Sequence, residues 1–145
     1  MKVSTRGRYA LRLMIDLAEH NPGEVVSLKD ISKRQNISTK YLEHIVTLLC
    51  KAGYLKSIRG SQGGYMLTSE PDKYTVGAIL RVTEGSLSPV TCIEENPNQC
   101  EHSGNCSTVD FWKGLNCVIN DYVDKITLKD LLSRNRNYDQ NNYMI

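Results

Sequence analysis

The sequence predicts a mainly α-helical fold with a small β-hairpin wing, namely a winged helix-turn-helix followed by a long C-terminal helix. Two stretches carry this prediction. Residues 27–53 hold two short segments with apolar residues at helical spacing, separated by a tight turn at 35–37, which is the pattern of a helix-turn-helix unit. Residues 54–67 hold two short apolar runs around the glycine-containing segment 59–64, which is the pattern of a hairpin.

Both helices of the helix-turn-helix unit have recognisable starts. Ser27 followed by Asp30 resembles a capping box, Ser38 is a second N-cap, and Gly53 ends the second helix. Because the second helix of such a unit lies in the DNA major groove, its first turn and exposed face can reach base edges and phosphates. We therefore predict DNA contacts from Ser38, Thr39, Lys40, Tyr41, Glu43 and His44.

The hairpin tip carries the next candidate residues. Arg59 stands at the base of a small, flexible tip that also contains Ser61 and Gln62. An arginine on a thin β-tip suits the narrow and negative minor groove, so we predict that these three residues contact DNA. The alternative is a packed three-helix and hairpin unit whose tip is only a solvated loop.

Basic residues are concentrated in the first part of the chain. The formal net charge is only +2, but residues 1–60 carry eleven Lys/Arg against five Asp/Glu, while residues 61–145 carry seven against eleven. This asymmetry suggests that only the front half meets a polyanion. The first predicted helix, residues 4–20, carries Arg6 and Arg8 near its start. We predict that they contact phosphates; the alternative is a solvated helix face.

Composition also excludes several classes of protein. No apolar run reaches the ~18 residues that cross a bilayer, and Arg12 and Asp16 interrupt the apolar stretch near the N-terminus, which makes it a poor signal peptide. We therefore expect a cytoplasmic protein with no membrane partner. There, five cysteines favour metal binding or redox chemistry over a disulfide framework. Because paired carboxylates, a nucleophile elbow and a phosphate-binding loop are missing from the sequence, we do not expect an enzyme.

We expect the chain to be organised in four regions. They are a winged helix-turn-helix DNA-binding region at 1–84, a cysteine-containing sensor loop at 85–106, a dimerisation helix with a short C-terminal helix at 107–132, and a frayed polar tail at 133–145. The loop is about twenty residues long, and loops of that length are usually functional or disordered.

The long helix after the loop predicts a homodimer. Its apolar residues recur at spacings of 3, 4, 3 and 4, as in a coiled-coil seam, and they are Trp112, Leu115, Ile119, Tyr122 and Ile126. Helix-turn-helix proteins commonly bind two half-sites as dimers. The alternative is packing on the chain's own core. Cys117 on the same helix is expected to be a core cysteine.

Three cysteines lie in or at the edge of the loop. Cys92, Cys100 and Cys106 have the spacing C-x7-C-x5-C, which differs from the C-x2-C pairs of most structural zinc sites. Open spacing on a flexible loop is compatible with an iron–sulfur cluster; zinc, redox-active thiols and idle thiols remain alternatives. The fourth ligand is not evident, although His102 and Asp110 are the nearest candidates and a partner subunit could supply one.

With these motifs, the sequence resembles the iron–sulfur cluster regulator family of dimeric winged-helix repressors, which includes IscR-, NsrR- and CymR-type proteins. The resemblance covers about residues 1–132 and is carried by STRGRYALRLMIDLA, by ISTKYLEHIVTLLCKAGYLKSIRGSQGGY, and by Trp112 with ITLKDLL. It implies that Glu43 is the family's recognition-helix glutamate and Arg59 its wing arginine. It also implies that Cys92, Cys100 and Cys106 ligate a cluster, with a two-iron two-sulfur type as the first expectation.

Two positions depart from the pattern of the family. Val109 stands where IscR-type members have a ligating histidine, and Arg8 stands where NsrR-type members have a ligating carboxylate. Some CymR-type members carry no cluster and respond to a partner enzyme of cysteine synthesis, so the resemblance also allows a cluster-free regulator controlled by a protein partner.

Together these observations predict a homodimeric, sequence-specific regulator of transcription that controls iron–sulfur cluster or cysteine metabolism genes, and we expect a repressor. Phosphate contacts from the front half would supply much of the affinity, and base contacts the discrimination. Because the cysteine loop joins the winged helix to the dimerisation helix, its state could alter the separation of the two recognition helices.

Overall fold

The computed structural model describes residues 1–20, 23–95 and 97–142. In these residues the chain forms six α-helices and a two-stranded antiparallel sheet, with 3-10 turns at Pro71–Lys73 and Thr91–Ile93. The helices and strands in chain order are α1 (Thr5–His20), α2 (Leu28–Gln35), α3 (Thr39–Lys51), β1 (Leu55–Ile58), β2 (Gly64–Leu67), α4 (Val76–Glu84), α5 (Val109–Lys125) and α6 (Leu128–Asn142).

Side-chain caps fix the starts of α2, α3 and α4. The hydroxyls of Ser27, Ser38 and Thr75 accept hydrogen bonds from backbone amides three residues further on, so each satisfies a donor that the first helical turn leaves free. Between α2 and α3, Asn36 takes the left-handed conformation with φ 53°. This conformation ends α2 and allows the sharp turn into α3.

The apolar core joins α1, α2, α3, α4 and α6. Leu13 of α1, Leu42 of α3, Ile79 of α4 and Leu128 of α6 are fully buried in it. Burying a leucine or isoleucine side chain stabilises a fold by about 1.5–3 kcal/mol, so these contacts hold the helix-turn-helix against the surrounding helices. In contrast, the main packing of α5 among the described elements is on α4 and, to a smaller extent, on the Thr91–Ile93 turn.

The wing is a short hairpin held from its side. Leu55 pairs with Leu67 and Ile58 with Gly64. Val26 extends the sheet by exchanging two backbone hydrogen bonds of 2.9 Å with Tyr65. A Cβ atom on Gly64 would lie 2.2 Å from the Val26 carbonyl oxygen, so this close approach requires glycine.

The base of the wing is anchored by Tyr74, which lies between the hairpin and α4 and is only 4% exposed. Its hydroxyl accepts from the amides of Thr68 (3.0 Å) and Ser69 (2.8 Å) and donates to the Tyr54 carbonyl (3.1 Å). The two tyrosine rings also meet edge to face, with centroids 5.5 Å apart. These contacts fix the hairpin against the core.

The C-terminal part differs from the prediction of a short helix and a frayed tail at 133–145. α6 runs from Leu128 to Asn142, and residues 143–145 of the predicted tail lie outside the described residues. Thr127 and Asp130 form a reciprocal cap at its start, Leu132 is buried, and the Asn135 amide donates to Glu19 Oε1 of α1 at 2.9 Å. Contacts with α1 therefore continue to Asn135, beyond the predicted end of the short helix at 132, and the helix runs on through an exposed polar segment.

The long helix also differs in detail from its prediction. It starts at Val109, and Cys117 is exposed rather than in the core. Of the predicted seam, Trp112, Leu115, Ile119 and Ile126 are half-buried within the chain itself and Tyr122 is exposed, whereas Phe111 and Val118 beside the seam are exposed too. The large exposed apolar side chains of α5 therefore form a stripe beside the predicted seam and share only Tyr122 with it.

Candidate nucleic-acid interface and cysteine loop

The second helix of the helix-turn-helix unit, α3, presents its first turn to solvent. Leu42, Ile45, Val46 and Leu49 bury its inner face, and this fixes which side chains point outward. The predicted DNA contacts Ser38, Thr39, Lys40, Glu43 and His44 are all exposed. Thr47, which we did not predict, continues this face one turn further, although its hydroxyl donates to the Glu43 carbonyl at 2.8 Å.

Tyr41 differs from the other predicted contacts because it is half-buried. Its ring meets the ring of Tyr9 of α1 edge to face, with centroids 5.6 Å apart and planes at 79°. Such a pair stabilises by about 0.5–1.5 kcal/mol beyond area burial. Tyr41 therefore joins the start of α3 to α1, and only part of it is left for a ligand.

The tip of the wing is exposed at all three predicted residues, namely Arg59, Ser61 and Gln62. Gly60 has φ 117° and its carbonyl accepts from the Gly63 amide at 3.0 Å, which closes the turn. A side chain at Gly60 would be strained because L-residues rarely adopt this φ. The tip is thus a compact turn with one guanidinium free to contact a phosphate or a groove.

The two predicted arginines at the start of α1 lie in different environments. Arg8 is exposed, and its Nη2 donates to Thr5 Oγ1 at 3.0 Å. Arg6 is half-buried, and its buried Nε has no hydrogen-bond partner among the described residues. The charge of Arg6 acts on Glu84 of α4. Burial tends to raise the pKa of the Glu84 carboxyl, but hydrogen bonds from Ser4 and the positive charge of Arg6 outweigh it, so that this pKa lies below its usual value.

A buried carboxylate that sequence reasoning missed lies behind the helix-turn-helix. Asp16 of α1 is the only charged side chain that is buried among the described residues. Arg34 donates to it twice, from Nη2 to Oδ1 at 2.6 Å and from Nε to Oδ2 at 3.1 Å, and Gln35 Nε2 donates to Oδ2 at 2.8 Å. The hydrogen bonds from Arg34 to Asp16 raise the pKa of the Arg34 guanidinium above its ordinary value. The signal available in the sequence was an acidic residue inside an apolar stripe.

The cysteine loop leaves α4 at Gly85 and enters α5 at Thr108. Cys92 lies in the Thr91–Ile93 turn, and Cys92, Cys100 and Cys106 are half-buried free thiols. The Thr108 hydroxyl lies 3.4 Å from Cys106 Sγ. This contact, helped by the backbone amides of Thr108 and Val109, lowers the pKa of the Cys106 thiol.

The three thiols suit iron chemically, but the loop does not bring them together. Within the described ranges, no three His, Cys, Asp or Glu residues lie close enough to hold one metal ion. The candidate fourth ligands His102 and Asp110 are exposed and belong to no such group either. The predicted ligand set is thus not assembled here, because each cysteine is held by its own local turn.

A second set of contacts joins the loop's two flanking helices. Arg81 of α4 donates to both carboxylate oxygens of Asp124 of α5 at 2.7 and 3.0 Å and also to Asn120. The hydrogen bonds from Arg81 lower the pKa of Asp124. A Cβ atom on Gly77 would lie 2.1 Å from Asp124 Oδ1, so α4 and α5 approach each other closely at this point.

In the part of the chain that the structure describes, every helix is too short or too polar to cross a membrane.

Comparison with known proteins agrees with this architecture. The family model described as "Rrf2: Iron-dependent Transcriptional regulator" matches residues 3–134. The HTH-type transcriptional regulator CymR of Bacillus subtilis (strain 168) is 44% identical over 134 residues, which cover 92% of this chain and 91% of CymR. IscR of Vibrio vulnificus (strain YJ016) is 36% identical over 135 residues, covering 93% of this chain and 79% of IscR.

Solved structures give the same result. The structure of CymR (YrzC), the global cysteine regulator of B. subtilis, matches with a TM-score of 0.76 and 42% identity, covering 92% of this chain and 98% of CymR. The structure of T. potens IscR matches with a TM-score of 0.73 and 41% identity, covering 92% of this chain and 88% of IscR. The predicted fold and the expectation of a regulator rather than an enzyme are therefore confirmed. The chain is a DNA-binding transcriptional regulator that belongs to the Rrf2 family.

Proposed function

We propose that the protein is a cytoplasmic homodimer that binds specific operators and represses genes of iron–sulfur cluster or cysteine metabolism. In this proposal Ser38, Thr39, Lys40, Tyr41, Glu43 and His44 lie at the major groove, Arg59, Ser61 and Gln62 enter the adjacent minor groove, and Arg6 and Arg8 contact phosphates. Glutamate can accept from cytosine N4, and lysine, serine and threonine can reach bases or phosphates.

The observation that carries this proposal is the exposed polar face of α3, which a fully buried apolar face supports from below. Base readout requires side chains that are free in solution and fixed in direction. The capped first turn of α3 supplies both properties. The wing tip with Arg59 follows α3 after only a few residues, which supports a contact in the neighbouring groove.

Dimerisation is supported by the surface of α5. Phe111, Val118 and Tyr122 are 64%, 65% and 62% exposed, and spacings of 7 and 4 residues place them on one side of the helix. Large apolar side chains grouped on one helix face favour a partner surface. A second copy of α5 would cover this face by packing in a coiled-coil-like arrangement.

The DNA-binding part is tested by selecting duplexes from a random library with the purified full chain, followed by competition against random duplex. We expect enrichment of a two-fold symmetric site whose half-sites lie about one helical turn apart. Light scattering on the same sample should give the mass of two chains. A monomer with no preference among duplexes would refute the proposal.

The regulatory signal is proposed to act through the loop at 85–106. The first hypothesis is that Cys92, Cys100 and Cys106 ligate an iron–sulfur cluster of the two-iron two-sulfur type. It is supported by the likeness to IscR proteins and by the family's description as iron-dependent. The loop as folded does not fit a cluster, so ligation would require the three turns that hold the thiols to rearrange.

The second hypothesis is a cluster-free regulator controlled by a protein partner, such as an enzyme of cysteine synthesis. It is supported by the 44% identity to CymR, whose solved structure is described as that of a global cysteine regulator. It is also supported by two positions that cannot ligate a cluster. Val109 stands where IscR-type members have a ligating histidine, and Arg8 stands where NsrR-type members have a ligating carboxylate.

Purification without air separates these two hypotheses. The first predicts visible absorbance with matching iron and sulfide contents, which is lost in each of Cys92→Ala, Cys100→Ala and Cys106→Ala. Cys50→Ala is the matched control, because Cys50 packs against the core and should leave the spectrum unchanged. A colourless wild-type protein that reconstitution with iron and sulfide cannot colour would favour the second hypothesis.

A further inference from the structure

The buried network around Asp16 is not part of the proposed DNA-contacting surface. It contacts the helix-turn-helix at the end of α2, directly before the turn into α3. Arg34 and Gln35 are the last two residues of α2, and α3 starts at Thr39 after a turn of only three residues. Any rotation of the end of α2 is therefore passed on to α3. Asp16 holds both residues at once, from a rigid position on α1.

Gln35 is held from two sides. Its Nε2 donates to Asp16 Oδ2 at 2.8 Å, and its Oε1 accepts from Arg12 Nε at 3.1 Å. Arg12 also donates from Nη2 to the Gln35 backbone carbonyl. Because Arg12 and Asp16 are four residues apart, they lie on the same face of α1. The amide of Gln35 thus bridges a cation and an anion, which fixes its orientation.

The same network continues to the first turn of α3. The guanidinium of Arg12 lies over the ring of Tyr9, 5.2 Å from its centroid. Tyr9 in turn packs edge to face on Tyr41 of α3. Thus one side of α1, through Tyr9, Arg12 and Asp16, holds both the end of α2 and the start of α3.

Stability alone does not account for such an arrangement. Asp16 is 0% exposed, whereas the Arg34 side chain is 33% exposed, so the carboxylate is fully desolvated while its partner is partly in water. Apolar residues of similar volume often stabilise helix packing as well as a buried ion pair does. What the charged network adds is a single geometry, because its hydrogen bonds are satisfied in only one placement of α2.

We propose that Asp16 is a positioning residue for DNA recognition: together with Gln35 and Arg12 it sets the angle at which α3 leaves the turn, and thereby the fit of the base-contacting side chains. This rests on the proposed function, in which α3 reads the operator. Asp16 itself contacts no DNA. It acts on sequence discrimination and leaves the phosphate contacts, which tolerate small rotations, in place.

The test compares affinity for the selected operator with affinity for random duplex, measured by fluorescence anisotropy at several salt concentrations. In Asp16→Asn we expect the ratio of the two affinities to fall about tenfold or more, as for the loss of one base contact. The affinity for random duplex and its dependence on salt should stay unchanged, because the number of phosphate contacts is the same.

Two further variants keep the proposal falsifiable. Gln35→Met preserves the side-chain volume and the Asp16–Arg34 pair, and we expect a smaller fall in the ratio, about threefold. Ile79→Val in the core of α4 is the control for general destabilisation, and its ratio should equal that of the wild type. Circular dichroism reports whether each variant is folded.

Each outcome leads to a decision. If the wild-type protein selects no operator, the proposed function fails. If it selects one and folded Asp16→Asn keeps the wild-type ratio, the positioning role is refuted. If Asp16→Asn does not fold, Gln35→Met decides, and an unchanged ratio overturns the proposal. An equal loss of affinity for operator and random duplex would indicate a purely structural role and would also overturn it.

Discussion

The winged-helix part of the chain and α5 differ in how far they are buried and in how their helices begin. In the winged helix, α1 to α4 each bury at least one apolar side chain in the shared core, and α2, α3 and α4 start at side-chain caps. All of α5 is described, yet no residue in it is buried, and its start has no side-chain cap. The first region is complete as a single chain. We infer that the second is completed by another copy.

This difference predicts where mutations act, and the largest effect is expected in the core. Leu13→Ala removes a fully buried side chain of α1 and should lower the free energy of unfolding by about 2–5 kcal/mol, as measured by urea denaturation.

In contrast, Val118→Asp on the exposed face of α5 should leave the chain folded but shift its mass from two chains to one in analytical ultracentrifugation. A Val118→Asp protein that remains a dimer would contradict the proposed role of α5.

A smaller effect, on binding rather than folding, is expected at the wing. Arg59→Ala removes the guanidinium at the wing tip and should weaken operator binding by about 1–3 kcal/mol. Lys113→Ala is the matched control, since it removes an exposed positive charge from α5 and should leave affinity unchanged. Both can be measured by anisotropy at a fixed salt concentration. Equal losses in the two variants would mean that only overall charge matters, and the contrast between the two regions would fail for DNA binding.

The comparison also explains what the sequence could predict. Ser27 and Ser38 predicted helix starts because capping depends on a side chain and an amide three residues apart. The hairpin was predictable for the same reason, since its turn is local. Elements that depend on distant partners were not predictable. The polar part of α6 is helical, and its Asn135 donates a hydrogen bond to Glu19 of α1. The carboxylate of Asp16 accepts hydrogen bonds from Arg34 and Gln35, which lie 18 and 19 positions further along the chain.

Two further features of the site also lay beyond sequence reasoning. The spacing of Cys92, Cys100 and Cys106 states that three thiols share a loop, but whether they converge depends on how the loop folds. Likewise, the apolar residues of α5 are compatible with two neighbouring stripes, and the sequence does not decide which one is left exposed in the folded chain. A spacing pattern states which residues could meet, and the folded conformation of the loop and the packing of α5 decide which of them do.

The smallest effect provides the sharpest test of the contrast, because one substitution can be made at the start of a helix in each region. Thr75→Ala removes the cap of α4, where Thr75 Oγ1 accepts from the Ala78 amide at 3.0 Å, and should cost about 1 kcal/mol of stability. Thr108→Ala at the start of α5 removes no cap and should leave stability nearly unchanged. Its hydroxyl instead contacts Cys106, so its loss should raise the pKa of that thiol toward the ordinary value. The rate of alkylation at Cys106, followed by mass spectrometry of the metal-free protein across pH, should then rise at higher pH than in the wild type. If Thr108→Ala destabilised the chain as much as Thr75→Ala while the alkylation profile stayed in place, the start of α5 would be an ordinary capped helix end, and the distinction between the two regions would not hold there.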